Sequence, residues 1–231
     1  MACCAPISTD TGRLFSQVAA LNRLRFRWLG LEASQRQLVE GIRKAGLDGT
    51  DLLEIGCGTG YLQQVLLRLG AARAIGVDLS GGMLAIARTQ AQAAGLGARA
   101  DYRQGEFTAM ADDLPGADIV ILDKVVCCYP DWQTLVGRSL RKTRRLYALT
   151  YPRDRALTRI GVRVMRWGLG IARCCYQPYI HDPARIQAMI VESGFVKVYS
   201  ATTTSWLTEV YSRADATAHP GSGEGRGSIR T

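Results

Sequence analysis

An α/β fold built on a doubly wound, mostly parallel sheet is predicted by three features of this 231-residue chain. From Leu52 to about Gly194, short apolar runs alternate with stretches of helical period, the pattern of strands joined by crossover helices. The first run, Leu52–Ile55, breaks into a turn with glycine at 56, 58 and 60, and the second, Ala74–Val77, closes on Asp78. Two alternating runs near the C-terminal end, Phe195–Thr203 and Ser205–Tyr211, read as an antiparallel hairpin at one edge. A chain of this length suits one domain with a sizeable core and a small cap.

Taken in order, the chain opens with a helix expected over about Thr11–Leu29. Leu14, Val18, Leu21 and Trp28 line its apolar face, and Arg13, Arg23, Arg25 and Arg27 lie elsewhere. A second helix near Gln35–Ala45 leads into strand one at Leu52–Ile55. A helix from Tyr61, a strand at Ala74–Val77, a helix over Gly82–Ala94 and a strand at Ala100–Gln104 follow. After a loop with Gly116 come strand four at Asp118–Leu122, a helix from Asp131 to about Lys142, and strand five at Arg145–Thr150. Pro152 precedes a helix expected over Arg153–Arg173. Asp182-Pro183 starts the last helix and Gly194 stops it, since proline suits a first helical turn and glycine a C-terminal stop. Five strands and the hairpin make a seven-stranded sheet. The expected organisation is N-terminal helices over 1–48 as a substrate-side cap, a main domain over 49–213 carrying a basic cap insertion at 152–181, and a disordered tail over 214–231.

Composition narrows the function classes. No apolar run approaches the ~18 residues of a membrane span, and the start, Met-Ala-Cys-Cys-Ala-Pro, lacks the basic and apolar regions of a secretory signal. Six of the seven cysteines are adjacent pairs (3–4, 127–128, 174–175), which is no disulfide framework, and no C-x-x-C spacing offers a zinc site. A cytoplasmic protein without a resident metal is expected. The net charge of +9 is concentrated between Arg138 and Arg173, where eleven Lys or Arg face one acid, Asp154. Such a segment suits an acidic substrate, a nucleic acid or an anionic membrane surface. Nothing in the sequence signals an oligomeric state.

Residues 54–60, Glu-Ile-Gly-Cys-Gly-Thr-Gly, have the spacing E-x-G-x-G-x-G. A dinucleotide turn wants G-x-G-x-x-G, but Tyr61 stands where its last glycine belongs, and no Gly-Lys-Ser/Thr follows to cradle phosphates. With Asp78 at the tip of the next strand, the stretch resembles motifs I and II of the class I S-adenosylmethionine-dependent methyltransferases. That family has a Rossmann-like fold whose seven-stranded sheet ends in such a hairpin, and the resemblance covers about Leu52 to Tyr211. It implies S-adenosyl-L-methionine as cofactor, with Gly56, Gly58 and Gly60 carrying its methionine part and Glu54 anchoring the turn. Asp78 would take the ribose hydroxyls and Leu79 would lie against the adenine. Glu106 stands where the family places an acid near the adenine amino group; Phe107 is an adenine wall or core. Asp123, ending strand four, matches the motif IV position beside the cofactor and the reactive methyl.

Catalytic candidates cluster around that strand end. Tyr129, before Pro130, is a phenol able to orient or deprotonate a substrate, or a packed turn residue. His181 is a general base or the cap of the next helix; Tyr176 and Tyr179 accompany it, and the only other histidine, His219, is in the tail. The Asp/Asn-Pro-Pro-Tyr/Phe signature of base-amino methylation is absent, which counts against a nucleobase amine. Cys127 and Cys128 are either small core residues or, with the other pairs, soft ligands for a metalloid substrate of the kind arsenite methyltransferases take. On the Arg153–Arg173 helix, Leu157, Ile160, Val164, Trp167 and Ile171 share one face, and Arg155, Arg159, Arg163, Arg166 and Arg173 oppose them. Either the apolar face packs on the core or the helix lies in a membrane interface. Tyr129-Pro130, the arginine-bearing segment and the aromatic final strand are together similar to magnesium-protoporphyrin O-methyltransferases. The expected function is methyl transfer to a small anionic or amphipathic molecule. RNA methylation along the basic stripe, metalloid methylation and cofactor binding without turnover are the alternatives.

Overall fold

The computed structural model describes Trp28, residues 30–171 and residues 177–214. The rest of the expected Thr11–Leu29 helix, the cysteine pairs at 3–4 and 174–175, Arg173, Tyr176, and the tail from 215 with His219 lie outside those residues.

The first half of the chain runs α1 (Ala33–Ala45), β1 (Asp51–Ile55), α2 (Tyr61–Arg68), β2 (Arg73–Asp78), α3 (Gly81–Ala93), β3 (Ala100–Gln104) and α4 (Phe107–Met110). The second half runs β4 (Ala117–Asp123), α5 (Trp132–Arg141), β5 (Thr143–Pro152), α6 (Ala156–Ile171), α7 (Pro183–Glu192), β6 (Phe195–Thr202) and β7 (Trp206–Arg213). Two short turns of 3-10 helix sit at Ala111–Asp113 and Val126–Cys128. All seven expected strands form, each within two residues of its predicted ends. The four-residue α4 stands where the sequence predicts loop; it forms because the Glu106 carboxylate accepts the N–H groups of Thr108 and Ala109.

The strands make one sheet in the order β3-β2-β1-β4-β5-β7-β6. All pairings from β3 to β5 are parallel, and β7 enters antiparallel between β5 and the edge strand β6. The sheet is covered on both faces, so the middle of the central strand β4, Ile119–Leu122, is an unbroken apolar run between Asp118 and Asp123. Ile119 and Ile121 pack with Leu38, Ile42, Leu62, Leu66 and Leu84 on one side. Val120 and Leu122 point the other way, into a core with Phe107, Trp132, Leu135, Ile186 and Ile190. The helix starts carry their caps: Ser80 accepts from Met83 N, Asp131 from Thr134 N, and Asp182 from Ala184 N with Pro183 at the first turn.

From β1 the chain winds outward through β2 to β3, then returns through β4 to the other half of the sheet. The crevice beyond the C-terminal ends of β1 and β4 is therefore the switch point of the topology, where open α/β sheets bind ligands.

Candidate cofactor and acceptor site

At that switch point lies a cavity of about 340 Å³, walled by the glycine turn, the ends of β1, β2 and β4, and two side chains from α1 and its cap. After Ile55 the backbone doubles back, and the Gly56 and Cys57 N–H groups both donate to Val77 O, at 2.7 and 3.1 Å. Gly58 has φ +53, and a Cβ built there would meet nothing within 4 Å. Its bare backbone faces the open cavity, so glycine here leaves room for a ligand. Gly56 is required for a different reason, since a Cβ on it would collide with the Val125 side chain.

Three carboxylates surround this turn. Asp78 accepts the Gly58 N–H on Oδ2 and the Ser80 N–H on Oδ1, each at 2.8 Å, so it locks the glycine turn to the start of α3. Burial raises its pKa, and those backbone donors oppose the rise. Glu54 is 2% exposed, and its Oε2 has no hydrogen-bond partner among the described residues. Burial, then the neighbouring Asp123 and Asp78 carboxylates, push its pKa well up. Asp123 accepts from Gln35 Nε2 at 2.8 Å on Oδ2, while Oδ1 is buried without a partner among the described residues. Burial raises its pKa too, opposed by Lys124 and Gln35.

Of the residues expected to hold a cofactor, Glu54, Gly56, Gly58, Asp78, Leu79, Phe107 and Asp123 line the cavity. Gly60 does not; it starts α2 at φ +68, where a Cβ would strike the Tyr102 hydroxyl at 2.5 Å. Glu106 is also off the lining, because its carboxylate is engaged in capping α4 and in accepting from the Tyr129 hydroxyl.

Tyr129 lines the cavity, but burial and then the Glu106 charge push its pKa far above the ordinary tyrosine range. It is a hydrogen-bond donor at physiological pH, and it does not supply a phenolate base. His181 lies outside the lining. Its Nε2 is 2.9 Å from Tyr129 O, and the ring is stacked on Tyr179 with centroids 5.7 Å apart. Together with Tyr179 N donating to Cys127 O at 2.8 Å, it fastens the 177–182 segment to the loop after β4. Asp182, rather than His181, caps α7. Burial lowers the His181 pKa, so the imidazole is neutral near pH 7.

Cys127 is buried with its thiol on Lys124 O at 3.3 Å; Cys128 is part-exposed and lines the cavity. The described residues contain no cluster of three or more metal-ligating side chains.

Glu32, Gln35 and Lys124 were not anticipated. Glu32 and Gln35 form a reciprocal cap at the start of α1 that also reaches the cavity: Gln35 holds Asp123, and Glu32 holds Lys124 Nζ at 2.6 Å. The Glu-x-x-Gln spacing is readable as a cap, but its reach to Asp123, 88 residues away in sequence, is tertiary. Lys124 directly follows Asp123 and has φ +60, a strained backbone for a non-glycine residue and a frequent mark of functional loops.

The architecture is the Rossmann-like one of the class I S-adenosylmethionine-dependent methyltransferases. Residues 52–145 match the family model described as "Methyltransferase domain". Over 96 residues the chain is 41% identical to a ubiquinone biosynthesis O-methyltransferase of Azorhizobium caulinodans, covering 42% of this chain and 35% of that protein. The enzyme of the same name from Sinorhizobium medicae is 31% identical over 172 residues, 71% of this chain and 64% of its own length. The chain thus spans only about a third to two-thirds of these curated relatives. Among solved structures, the magnesium protoporphyrin IX methyltransferase of Synechocystis PCC 6803 with bound SAH superposes with a TM-score of 0.66, covering 89% of this chain and all of that one at 18% identity. The cyclase SpnF superposes as well, with a TM-score of 0.68, 14% identity, and coverage of 89% and 96%. At such identities the likeness shows the fold alone.

Proposed function

We propose that this protein transfers a methyl group from S-adenosylmethionine to an oxygen of a small anionic or amphipathic molecule. The observation that carries the reading is the charge at the glycine turn. Glu54, Asp78 and Asp123 are held close enough to raise one another's pKa or are buried enough to rise alone, and two of them present partnerless oxygens. A ligand that brings positive charge relieves this, and S-adenosylmethionine carries an ammonium and a sulfonium. A dinucleotide would bring an anionic pyrophosphate to the same carboxylates and be repelled.

When bound, the cofactor supplies an electrophilic methyl on sulfur. In this reading Gly56 and Gly58 allow close backbone approach, and Asp78 keeps lone pairs free for a ribose diol beyond its two N–H partners. Leu79, Met83 and Phe107 offer apolar walls to an adenine. Tyr129, whose one proton goes to Glu106, offers the acceptor its phenol oxygen and a wall of the cavity. Asp123 suits proton acceptance best: burial makes it more basic, and it lines the cavity wall. An acceptor already ionised, such as a carboxylate, would need no base, and Lys124 at the same wall is placed to attract it. Oxygen as the acceptor atom is supported by the relatives' names. Most of the rate would come from holding donor and acceptor in line.

Calorimetric titration with S-adenosylmethionine and, separately, NAD tests the cofactor. Micromolar binding of the first alone is expected; binding of NAD alone would overturn the reading. Turnover is then assayed on phenolic and carboxylic amphiphiles, with arsenite and RNA in parallel. Methylation of arsenite or RNA alone would replace the proposed acceptor class, and binding without turnover on any of them would favour a cofactor-binding partner protein.

A further inference from the structure

Helix α6 touches the body along one narrow face. Thr158, Val162 and Leu169 are half-buried there, with Met165 beside them at 49% exposure. At about 100° per residue, the opposite side of the helix carries Leu157, Ile160, Val164 and Trp167, which are 75%, 56%, 61% and 71% exposed. Of the two readings of this apolar face, packing on the core is the one the exposures rule out: the face points away from the protein. Arg159, Arg163 and Arg166, all exposed, form one flank between the two sides. A contiguous outward stripe of large apolar side chains rimmed by charge marks an interaction surface.

Charge decides what covers it. Residues 1–27 carry four arginines and a single acid, Asp10, so they would bring positive charge against the arginine flank. A second copy would bring the same arginines. RNA would seat on the flank and leave the stripe wet. An anionic bilayer accommodates both, with apolar side chains below the headgroups and guanidinium groups among them.

The helix is also joined to the cavity wall. It leaves from the C-terminal end of β5, next to β4, the same end of the sheet as the cavity. Arg166 donates to Gln177 Oε1 at 2.9 Å and lies over the Tyr179 ring, whose backbone N–H holds the loop bearing Cys128 and Tyr129. We infer that α6 docks this protein on an anionic lipid bilayer, apolar stripe inward and arginine flank at the headgroups, with the cavity mouth toward the membrane. Docking stands on the helix alone; that an amphipathic acceptor enters the cavity from the bilayer rests on the methyltransferase reading above.

Flotation of the full chain with vesicles tests it at low salt, using phosphatidylcholine alone and phosphatidylcholine mixed with phosphatidylglycerol. Retention is expected on the mixed vesicles. Ile160→Ser with Trp167→Ser should cut it at least tenfold, about 1.4 kcal/mol, while the melting temperature and S-adenosylmethionine titration stay unchanged. Arg159→Gln with Arg163→Gln should lower retention on the mixed vesicles and weaken its salt dependence. No retention of folded wild-type protein overturns the inference, as does equal retention of the serine variant. A dimer that the serine substitutions dissolve would assign the stripe to a second copy and overturn it too. The cofactor titration reports separately on the methyltransferase reading, which survives any of these results.

Discussion

Glu54→Gln separates a cofactor-binding carboxylate from a mere anchor of the turn, because the two roles give effects of opposite sign. The amide keeps the shape of the side chain and the bond it accepts from the Gln63 backbone. It removes one of three neighbouring charges from a fully buried position. A buried group left short of partners costs about 1–3 kcal/mol and more when it is charged, so exchanging the charge for a neutral amide of the same shape stabilises the ligand-free protein. For a domain of this size each kcal/mol moves the melting temperature by about 2–4 °C, and a rise of that order is expected near neutral pH. The pH dependence has a fixed sign. An acid whose folded pKa is raised keeps its proton longer in the native state than in the unfolded one. Its stability contribution is full below the ordinary carboxylate range and is lost as pH rises through the folded pKa. Wild-type stability should therefore fall as pH rises above about 4.3, and the glutamine variant should show a shallower fall. Binding should move the other way. Losing one charge-assisted contact to the cofactor costs about 1.5–3 kcal/mol, a loss of about 10- to 150-fold in S-adenosylmethionine affinity. Calorimetric melts at several pH values and a cofactor titration read both. A lower melting temperature with unchanged affinity would refute the reasoning and leave Glu54 as an anchor.

Asp78→Ala removes the acceptor of the Gly58 and Ser80 N–H groups, and Gly58→Val fills the open space before that turn while forcing a β-branched residue to φ +53. Each should weaken S-adenosylmethionine binding at least about tenfold in a protein that still melts cooperatively; unchanged titrations of folded variants would displace the site. Tyr129→Phe deletes the hydroxyl that engages Glu106 and faces the cavity without deleting a base, so kcat should fall with no change in the pH at which activity rises; loss of an alkaline limb would restore the tyrosine to proton transfer. Cys127→Ser with Cys128→Ser should spare cofactor binding and turnover of an organic acceptor, measured by methyl incorporation; abolished turnover with intact binding would point back to a soft-metal substrate. Asp123→Asn should lower kcat on a phenolic acceptor far more than on a carboxylic one, and equal losses would argue against its role as base.

The strands were legible because a sheet covered on both faces needs apolar runs: Ile119–Leu122 is unbroken, and Leu52–Ile55 is interrupted only by the buried Glu54. The glycine turn was legible because its constraints are local: a glycine at φ +53 and an acid at the next strand tip leave a spaced trace. Other assignments depended on neighbours far away in the chain. Glu106 has the expected type and position, yet its oxygens face α4 and Tyr129, a choice set by packing after the chain has folded. Helical period placed Leu157, Ile160, Val164 and Trp167 on one face, but period alone does not say whether that face looks inward or outward. Gln35 reached the site through tertiary placement of α1, for which its own sequence neighbourhood carries no sign.

The division between what the comparisons cover and what they leave follows the chemistry of the fold. The matched domain ends at residue 145, so it contains β1 through β4 and every residue lining the cavity except the two contributed by α1 and its cap. The elements that carry the exposed stripe and the 177–182 clamp come after it. That the cyclase SpnF shares the architecture underlines that the sheet does not choose the reaction. Under the proposed function, acceptor choice falls to the part of the cavity wall that the elements after residue 145 fasten. There, Tyr129 is held by Glu106, its loop by His181 and Tyr179, and Tyr179 by an arginine of α6. This chain of contacts makes the wall nearest Tyr129 the part most sensitive to whatever α6 binds. Vesicles should accordingly change KM for an amphipathic acceptor and leave S-adenosylmethionine affinity alone, because the Asp78 carboxylate is held by the backbone of the glycine turn and the start of α3 rather than by the 177–182 segment.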